Sequence, residues 1–148
     1  MTRYLLDTNI VSDALKPRPS AAIAEWLQGQ DDTDLFIATL TVAETWRGVL
    51  TTPTGRRRRE LERWFTGPLG PQALFRNRVL SFDERAAIEW GRIIAAGRAI
   101  GRPRSPIDMI IAATAAANGC VVVTVNERHF RDVVDFLNPM ETGSALPD

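Results

Sequence analysis

Tyr4-Leu5-Leu6-Asp7-Thr8-Asn9 decides how the rest of the chain is read: a short apolar run stops on a carboxylate and passes at once into the helical stretch Ile10-Val11-Ser12-Asp13-Ala14-Leu15. An apolar run too short for a helix, followed directly by a helical pattern, reads as a buried first strand feeding a helix. An aspartate at the carboxyl end of such a strand is costly to desolvate, so it is kept there by a cation, a substrate or hydrogen-bond donors. Asp7 or Asn9 could also do no more than cap the helix that follows. These residues alone leave both readings open.

Outward from that stretch, Leu35-Phe36-Ile37-Ala38, Val79-Leu80-Ser81-Phe82, Cys120-Val121-Val122-Val123 and Val134-Asp135-Phe136-Leu137 are further short apolar runs. Helices are expected between them: from Ser20 with Ile23, Trp26 and Leu27 on one side, from about Val42 to Leu50, from Arg56 through Phe65, from Asp83 to Ala99, and from Ile107 to about Asn118. Ser105 as a cap with Pro106 at the first helical position places Asp108 in the first turn of the last of these. Its alanines suit close packing on a sheet, and Gly119 closes it. Strands alternating with helices imply an α/β fold, an open parallel sheet of about five strands flanked by helices, as one domain over residues 1–148 with a flexible tail at the end.

The 148 residues carry 18 basic and 18 acidic side chains, 45% hydrophobic and 24% charged residues. That is the composition of a globular domain able to bury its own core, and it excludes a global basic field for nucleic acid. Any contact with nucleic acid must be local. The run Arg56-Arg57-Arg58-Arg59 is a candidate, although Glu60 and Glu62 offer it partners on the same helix. The single cysteine, Cys120, reads as a small buried residue in a reducing compartment, and no stretch is apolar and long enough to be a membrane span or a secretory leader. A cytoplasmic protein is expected.

In a parallel α/β sheet the carboxyl ends of the strands and the amino ends of the following helices share one edge. Asp7 and Asn126 follow strands; Glu44 and Asp108 are expected in first turns of helices that start at that edge. Glu44 also has a plainer reading, since Thr41-Val42-Ala43-Glu44 has the spacing of a capping box. Asp108 likewise could serve only as a first-turn acid favoured by the helix dipole. Taken together, however, three acids at one edge need a cation or shared protons, because two carboxylates about 4 Å apart repel by about 4 kcal/mol at an effective dielectric of about 20. Oxygen-only ligands select hard ions, so Mg2+, with Mn2+ as the alternative, is the expected cofactor, poised for attack of water on a phosphodiester.

The four motifs Leu6-Asp7-Thr8-Asn9 with Ser12, Thr41-Val42-Ala43-Glu44, Pro106-Ile107-Asp108-Met109-Ile110-Ile111-Ala112-Ala113, and Thr124-Val125-Asn126-Glu127-Arg128-His129-Phe130 with Asn138-Pro139 after it resemble, in this order and spacing, the PIN-domain ribonucleases of the VapC toxin type. The resemblance spans nearly the whole chain. It implies a metal-dependent endoribonuclease, the toxin of a toxin–antitoxin pair, with RNA as substrate, a cognate antitoxin as partner and a homodimer as the assembly. The family's acidic quartet falls on Asp7, Glu44, Asp108 and Asn126 as catalytic residues, with Asp7, Asp108 and Glu44 as metal ligands. Asn126 departs from the pattern, because an amide lacks the charge that would hold a second cation. Thr8, Ser12 and Thr124 are candidate hydroxyls to orient the acids, and could equally be caps. For the dimer, Trp26, Trp46, Trp64 and Phe65 are candidate contact residues as well as candidate core.

Two other enzyme classes and one non-enzyme class remain to be weighed. A phosphatase or phosphotransferase with Asp7 as nucleophile also places an aspartate after the first strand. The haloacid-dehalogenase type wants a second aspartate two residues on and a later lysine, whereas here Asn9 stands at that place and Lys16 is the only lysine. A serine hydrolase would have to use His129, and no nucleophile-elbow motif accompanies it. The non-enzyme alternative is an inactive PIN-like binding module, which Asn126 favours and the three retained acids oppose.

Overall fold

The computed structural model describes residues 1–141. The expected flexible tail falls largely outside the described residues. Strand β1 (Arg3–Leu6) occupies the middle of a five-stranded sheet of order β3-β2-β1-β4-β5, with β2 (Leu35–Ala38), β3 (Val79–Leu80), β4 (Cys120–Val123) and β5 (Phe136–Leu137). All four pairings are parallel, with Leu5 opposite Phe36 on one side and Val122 on the other. The expected open parallel sheet is therefore the observed one.

Alternation along each strand divides the core into two layers, as the two-residue period of a strand requires. Leu5, Phe36, Ala38, Cys120 and Val122 point to one face, where they meet Ile93 of α6 (Glu84–Ala99), Met109, Ile111, Ala112, Ala113 and Ala115 of α7 (Asp108–Asn118), and Phe130 of α8 (Glu127–Phe130). Leu6, Leu35, Ile37 and Val123 point to the other, where they meet Ile10 and Val11 of α1 (Thr8–Ala14) and Ile23 of α2 (Ala21–Gln28). A sheet covered on both faces is what near-continuous apolar strands encode. Gly119 ends α7 with φ of 64°, a left-handed conformation that disfavours any side chain larger than hydrogen.

Several boundaries differ from expectation. Helix α3 (Thr39–Thr51) starts three residues before Val42, with Ala38 rather than Thr41 at its cap, so Glu44 lies in the second turn and takes no part in a capping box. Strand β3 stops at Leu80, because its partner β2 ends at Ala38 and Phe82 instead donates its amide to Thr39 Oγ1 at 3.3 Å. Strand β5 begins only at Phe136, the Val134 amide being held by the Phe130 carbonyl at 3.3 Å. Regular α7 begins at Asp108, yet the Met109 amide already reaches the Ser105 carbonyl at 3.1 Å, which keeps Asp108 in the first turn.

Helix α4 (Arg56–Thr66) carries the arginine run, and α5 (Pro71–Leu74) follows it. Arg56 pairs with Glu60 at 3.1 Å and Arg58 with Glu62 at 3.0 Å, the i, i+4 geometry of a solvated helix face. Trp26 packs edge-on against Tyr4 with ring centres 4.9 Å apart, and Trp46 lies 4.7 Å from the buried Phe65. Trp26, Trp46 and Trp64 are half-buried in such contacts and Phe65 is buried. Cys120 is buried, and that burial pushes its thiol above the ordinary range. No helix among the described residues is long and apolar enough to cross a membrane.

Candidate active site

Asp7 follows the central strand and is the cap residue of α1. Both readings of it are realised together: its Oδ1 accepts the Thr8 amide at 2.8 Å as a cap does, while its Oδ2 accepts Asn9 Nδ2 at 2.9 Å and Thr124 Oγ1 at 2.9 Å. Three donors would ordinarily pull a carboxyl down. Here burial outweighs them, with the Glu44 charge adding to it, and the Asp7 carboxyl is held above its usual range. No cationic side chain is among the groups that set its ionisation.

Thr124, fully buried one residue past β4, is the hub of this half of the site. Its hydroxyl proton goes to Asp7, and its lone pairs receive the Asn126 amide at 3.0 Å and Asn9 Nδ2 at 3.3 Å. Asn9 Oδ1 in turn accepts the Val125 amide at 3.3 Å, tying the end of β1 to the end of β4. Asn126 thus enters the network through its backbone. Its side chain is exposed at the start of α8 and makes no capping bond.

The other half is built around Glu44. Thr8 Oγ1 donates to Glu44 Oε1 at 2.8 Å and lies 3.0 Å from Thr41 Oγ1, while the Arg47 guanidinium stands 3.8 Å from Glu44 Oε2. A groove of about 580 Å3 opens beside Glu44, lined among others by Ser12, Lys16, Arg57 and Trp64. Ser12 borders the groove, and its hydroxyl belongs to neither network.

Asp108 lies in the first turn of α7. Its Oδ2 lies 3.3 Å from His129 Nδ1, and both side chains, 38% and 35% exposed, remain accessible to a ligand. The Asp108 amide reaches Ser105 Oγ at 3.5 Å.

The structure therefore joins Asp7, Thr8 and Thr124, gives Glu44 a partner from α1, and pairs Asp108 with a residue of α8. Sequence reasoning missed three contributors: Asn9 as a bridge, Thr41 behind Thr8, and His129 against Asp108. Asn9, two residues after Asp7, had a local signal in the tendency of such side chains to bond neighbouring backbone and carboxylates. His129 and Thr41 had none, since their partners are distant in sequence.

In donor chemistry the edge fits a hard divalent cation: three carboxylates, an amide and hydroxyls, with a desolvated aspartate that has no counter-charge. Among the described residues no three His, Cys, Asp or Glu side chains are grouped as a ready-made cage.

Comparison with known proteins decides the family. The PIN domain model matches residues 4–135. The chain belongs to the PIN-domain family, among the VapC-type toxins. It is 36% identical to the plasmid stability protein StbB of Pseudomonas syringae pv. tomato over 93% of this chain and 98% of that one. To the VapC ribonuclease Y4jK of Sinorhizobium fredii it is 33% identical, over 93% and 97% of the two chains. The crystal structure of FitAcB from Neisseria gonorrhoeae superposes with a TM-score of 0.84 at 31% identity, over 92% of this PIN chain and 97% of that one.

Proposed function

We propose that this PIN domain is the toxin of a toxin–antitoxin pair and hydrolyses RNA phosphodiester bonds at the Asp7 edge with a divalent ion, Mg2+ or Mn2+. The observation that carries this reading is the Asp7 carboxylate at the end of the central strand, with both oxygens fixed by the Thr8 amide, Asn9 and Thr124, and Glu44 brought beside it through Thr8. A phosphodiester adds further negative charge to that edge, so substrate and acids can share it only around a cation. In this reading Asp7 and Asp108 hold the ion, Glu44 acts on it directly or through water, and Asn126 orients a water or the substrate.

Such an ion neutralises charge developing at the scissile phosphate and makes a bound water more acidic. The chain's own part is orientation. Thr124, Asn9 and the Thr8 amide fix both oxygens of Asp7 before any ligand arrives, Thr8 fixes one oxygen of Glu44, and His129 stands 3.3 Å from one oxygen of Asp108. Donors that hold a ligating carboxylate spare the site reorganisation when the ion binds.

The partners are RNA and a cognate antitoxin, and a homodimer is proposed with them on the strength of the family alone. Light scattering that finds only monomer over a wide concentration range would remove the dimer. The function itself is tested by incubating the purified full chain with total RNA and Mn2+, with and without a chelator. Cleavage that a chelator stops and Asp7→Asn removes is the expected result. Cleavage that survives either change overturns the metal site, and a folded chain that binds RNA but never cuts it is the inactive binding module.

A further inference from the structure

We infer that Thr41 is a positioning residue for Glu44, acting through the Thr8 hydroxyl. The inference rests on reading Glu44 as an acid of the cation site.

Proton counting gives the chain of bonds its direction. Thr8 has one hydroxyl proton and two near neighbours, Glu44 Oε1 at 2.8 Å and Thr41 Oγ1 at 3.0 Å. An ionised carboxylate can only accept, so the Thr8 proton belongs to Glu44. The Thr8 oxygen then accepts, and the proton between the two threonines comes from Thr41. The order is Thr41 to Thr8 to Glu44. With its lone pair occupied by Thr41, the Thr8 hydroxyl cannot turn its proton away from Glu44, and the carboxylate is held in one place on the site's edge.

Thr41, like Thr8 and Thr39 at the starts of their helices, does not return its hydroxyl to its own helix. Thr45, Thr51, Thr66 and Thr114 each return their hydroxyl to a carbonyl three or four residues earlier on their own helix, the common fate of a helical threonine. Thr41 is the third residue of α3, and the residue four before it, Ile37, lies in β2. Its hydroxyl points instead across to α1, and its side chain is fully buried. Burying a hydroxyl there serves the neighbouring threonine rather than the helix that carries it. The position is also in phase with Glu44, three residues on, so both side chains rise from the same face of α3.

Mn2+ titration of the purified full chain by calorimetry tests this, with circular dichroism as a check on folding. Thr41→Val keeps the shape and removes the hydroxyl; we expect Mn2+ affinity to fall by roughly 10-fold, the lower end for loss of a group that orients a ligand. Thr41→Ser restores the proton and should return affinity to within about twofold of the parent. In a Thr8→Val background, where the relay is already cut, Thr41→Val should cost nothing further. If Thr41→Val does not fold, Thr41→Ala takes its place in the same cycle. Parent-like affinity in Thr41→Val together with a loss in Glu44→Gln overturns the relay and leaves the cation site standing. Independent, additive losses from Thr8→Val and Thr41→Val also overturn it, since they would mark Thr41 as packing only. Parent-like affinity in Glu44→Gln overturns the site reading and the relay with it.

Discussion

Asp7 and Asp13 stand at opposite ends of α1, both withdrawn from solvent and both holding several hydrogen bonds, yet their carboxyl groups are displaced in opposite directions. Asp13 takes the Ser20 amide at 3.0 Å and the Ser20 hydroxyl at 2.9 Å, with Lys16 at 3.7 Å, and the Ser20 bonds, the backbone one first, hold its carboxyl below the usual range. Asp7 has as many donors, but the desolvation of its carboxyl outweighs them and a second carboxylate adds to it, which leaves it high even though Asp13 is the less exposed residue. The neighbour's sign is part of the difference: Lys16 in one case, Glu44 in the other. Asp13 is a finished structural device that pins the Lys16-Pro17-Arg18-Pro19 loop back onto its helix. Asp7 has no such cation, and in the proposed reading its counter-charge comes from a bound divalent ion.

The largest effect expected from breaking that contrast is on Asp7. Asp7→Asn should lower RNA cleavage roughly 100- to 1,000-fold, the scale of losing one electrostatic stabiliser of the transition state. Without metal the same variant should melt no lower than the parent at neutral pH. The folded state of the parent binds the Asp7 proton more tightly than the unfolded chain does, so this group favours folding fully below the ordinary carboxylate range and loses that contribution as pH rises through its raised value. Thermal melts across pH check the sign: any advantage of Asp7→Asn over the parent should shrink on acidification.

Asp13→Asn should do the reverse. Its contribution to folding is present above the ordinary carboxylate range and fades as pH falls through its lowered value, so the variant should melt lower at neutral pH and converge on the parent in acid. Mn2+ affinity measured on the same preparation should be unchanged. A loss of metal binding in folded Asp13→Asn would mean that the two ends of α1 are not separate in role.

A smaller change should follow at Asn126. Asn126→Asp adds a charge beside Asp7 and should tighten Mn2+ binding while lowering the melting temperature of the metal-free protein. Asn126→Ala should cost only a few-fold, because the backbone amide that supports Thr124 remains. Calorimetric titration that finds parent affinity and stoichiometry in Asn126→Asp would place the side chain outside the ion's reach. Smallest of all is Ser12→Ala, expected to leave Mn2+ affinity within about twofold, as for an exposed residue outside both networks.

The sheet was legible because its strands are almost unbroken apolar runs with turn chemistry at their ends. The expectation that the acids meet at one edge came from the parallel topology, and of those acids the structure links Asp7 with Glu44 through Thr8. What escaped was set by pairing. Ser81 and Phe82 have strand-like composition, but β2 has already turned into α3 and offers them no ladder. The capping-box spacing of Thr41 and Glu44 was real as a pattern and misleading as a local signal. Thr41 answers to Thr8, 33 residues earlier, and Glu44 answers to the same hydroxyl. His129 was read only within a motif and as what a serine hydrolase would need, because nothing near it in sequence announces Asp108. Contacts of that kind are products of the closed sheet rather than of any window of residues.

The junction between β2 and α3 has no loop: Ala38 ends the strand and the helix begins with the next residue. A helix advances about 100° per residue, so a single residue inserted at this seam would swing Glu44 and Thr41 together by more than a quarter of a circle, away from α1. Many substitutions at the seam would leave that angle alone. Length, more than side-chain identity, is what the join protects, and related chains free to vary in residue type there should still be intolerant of any insertion or deletion.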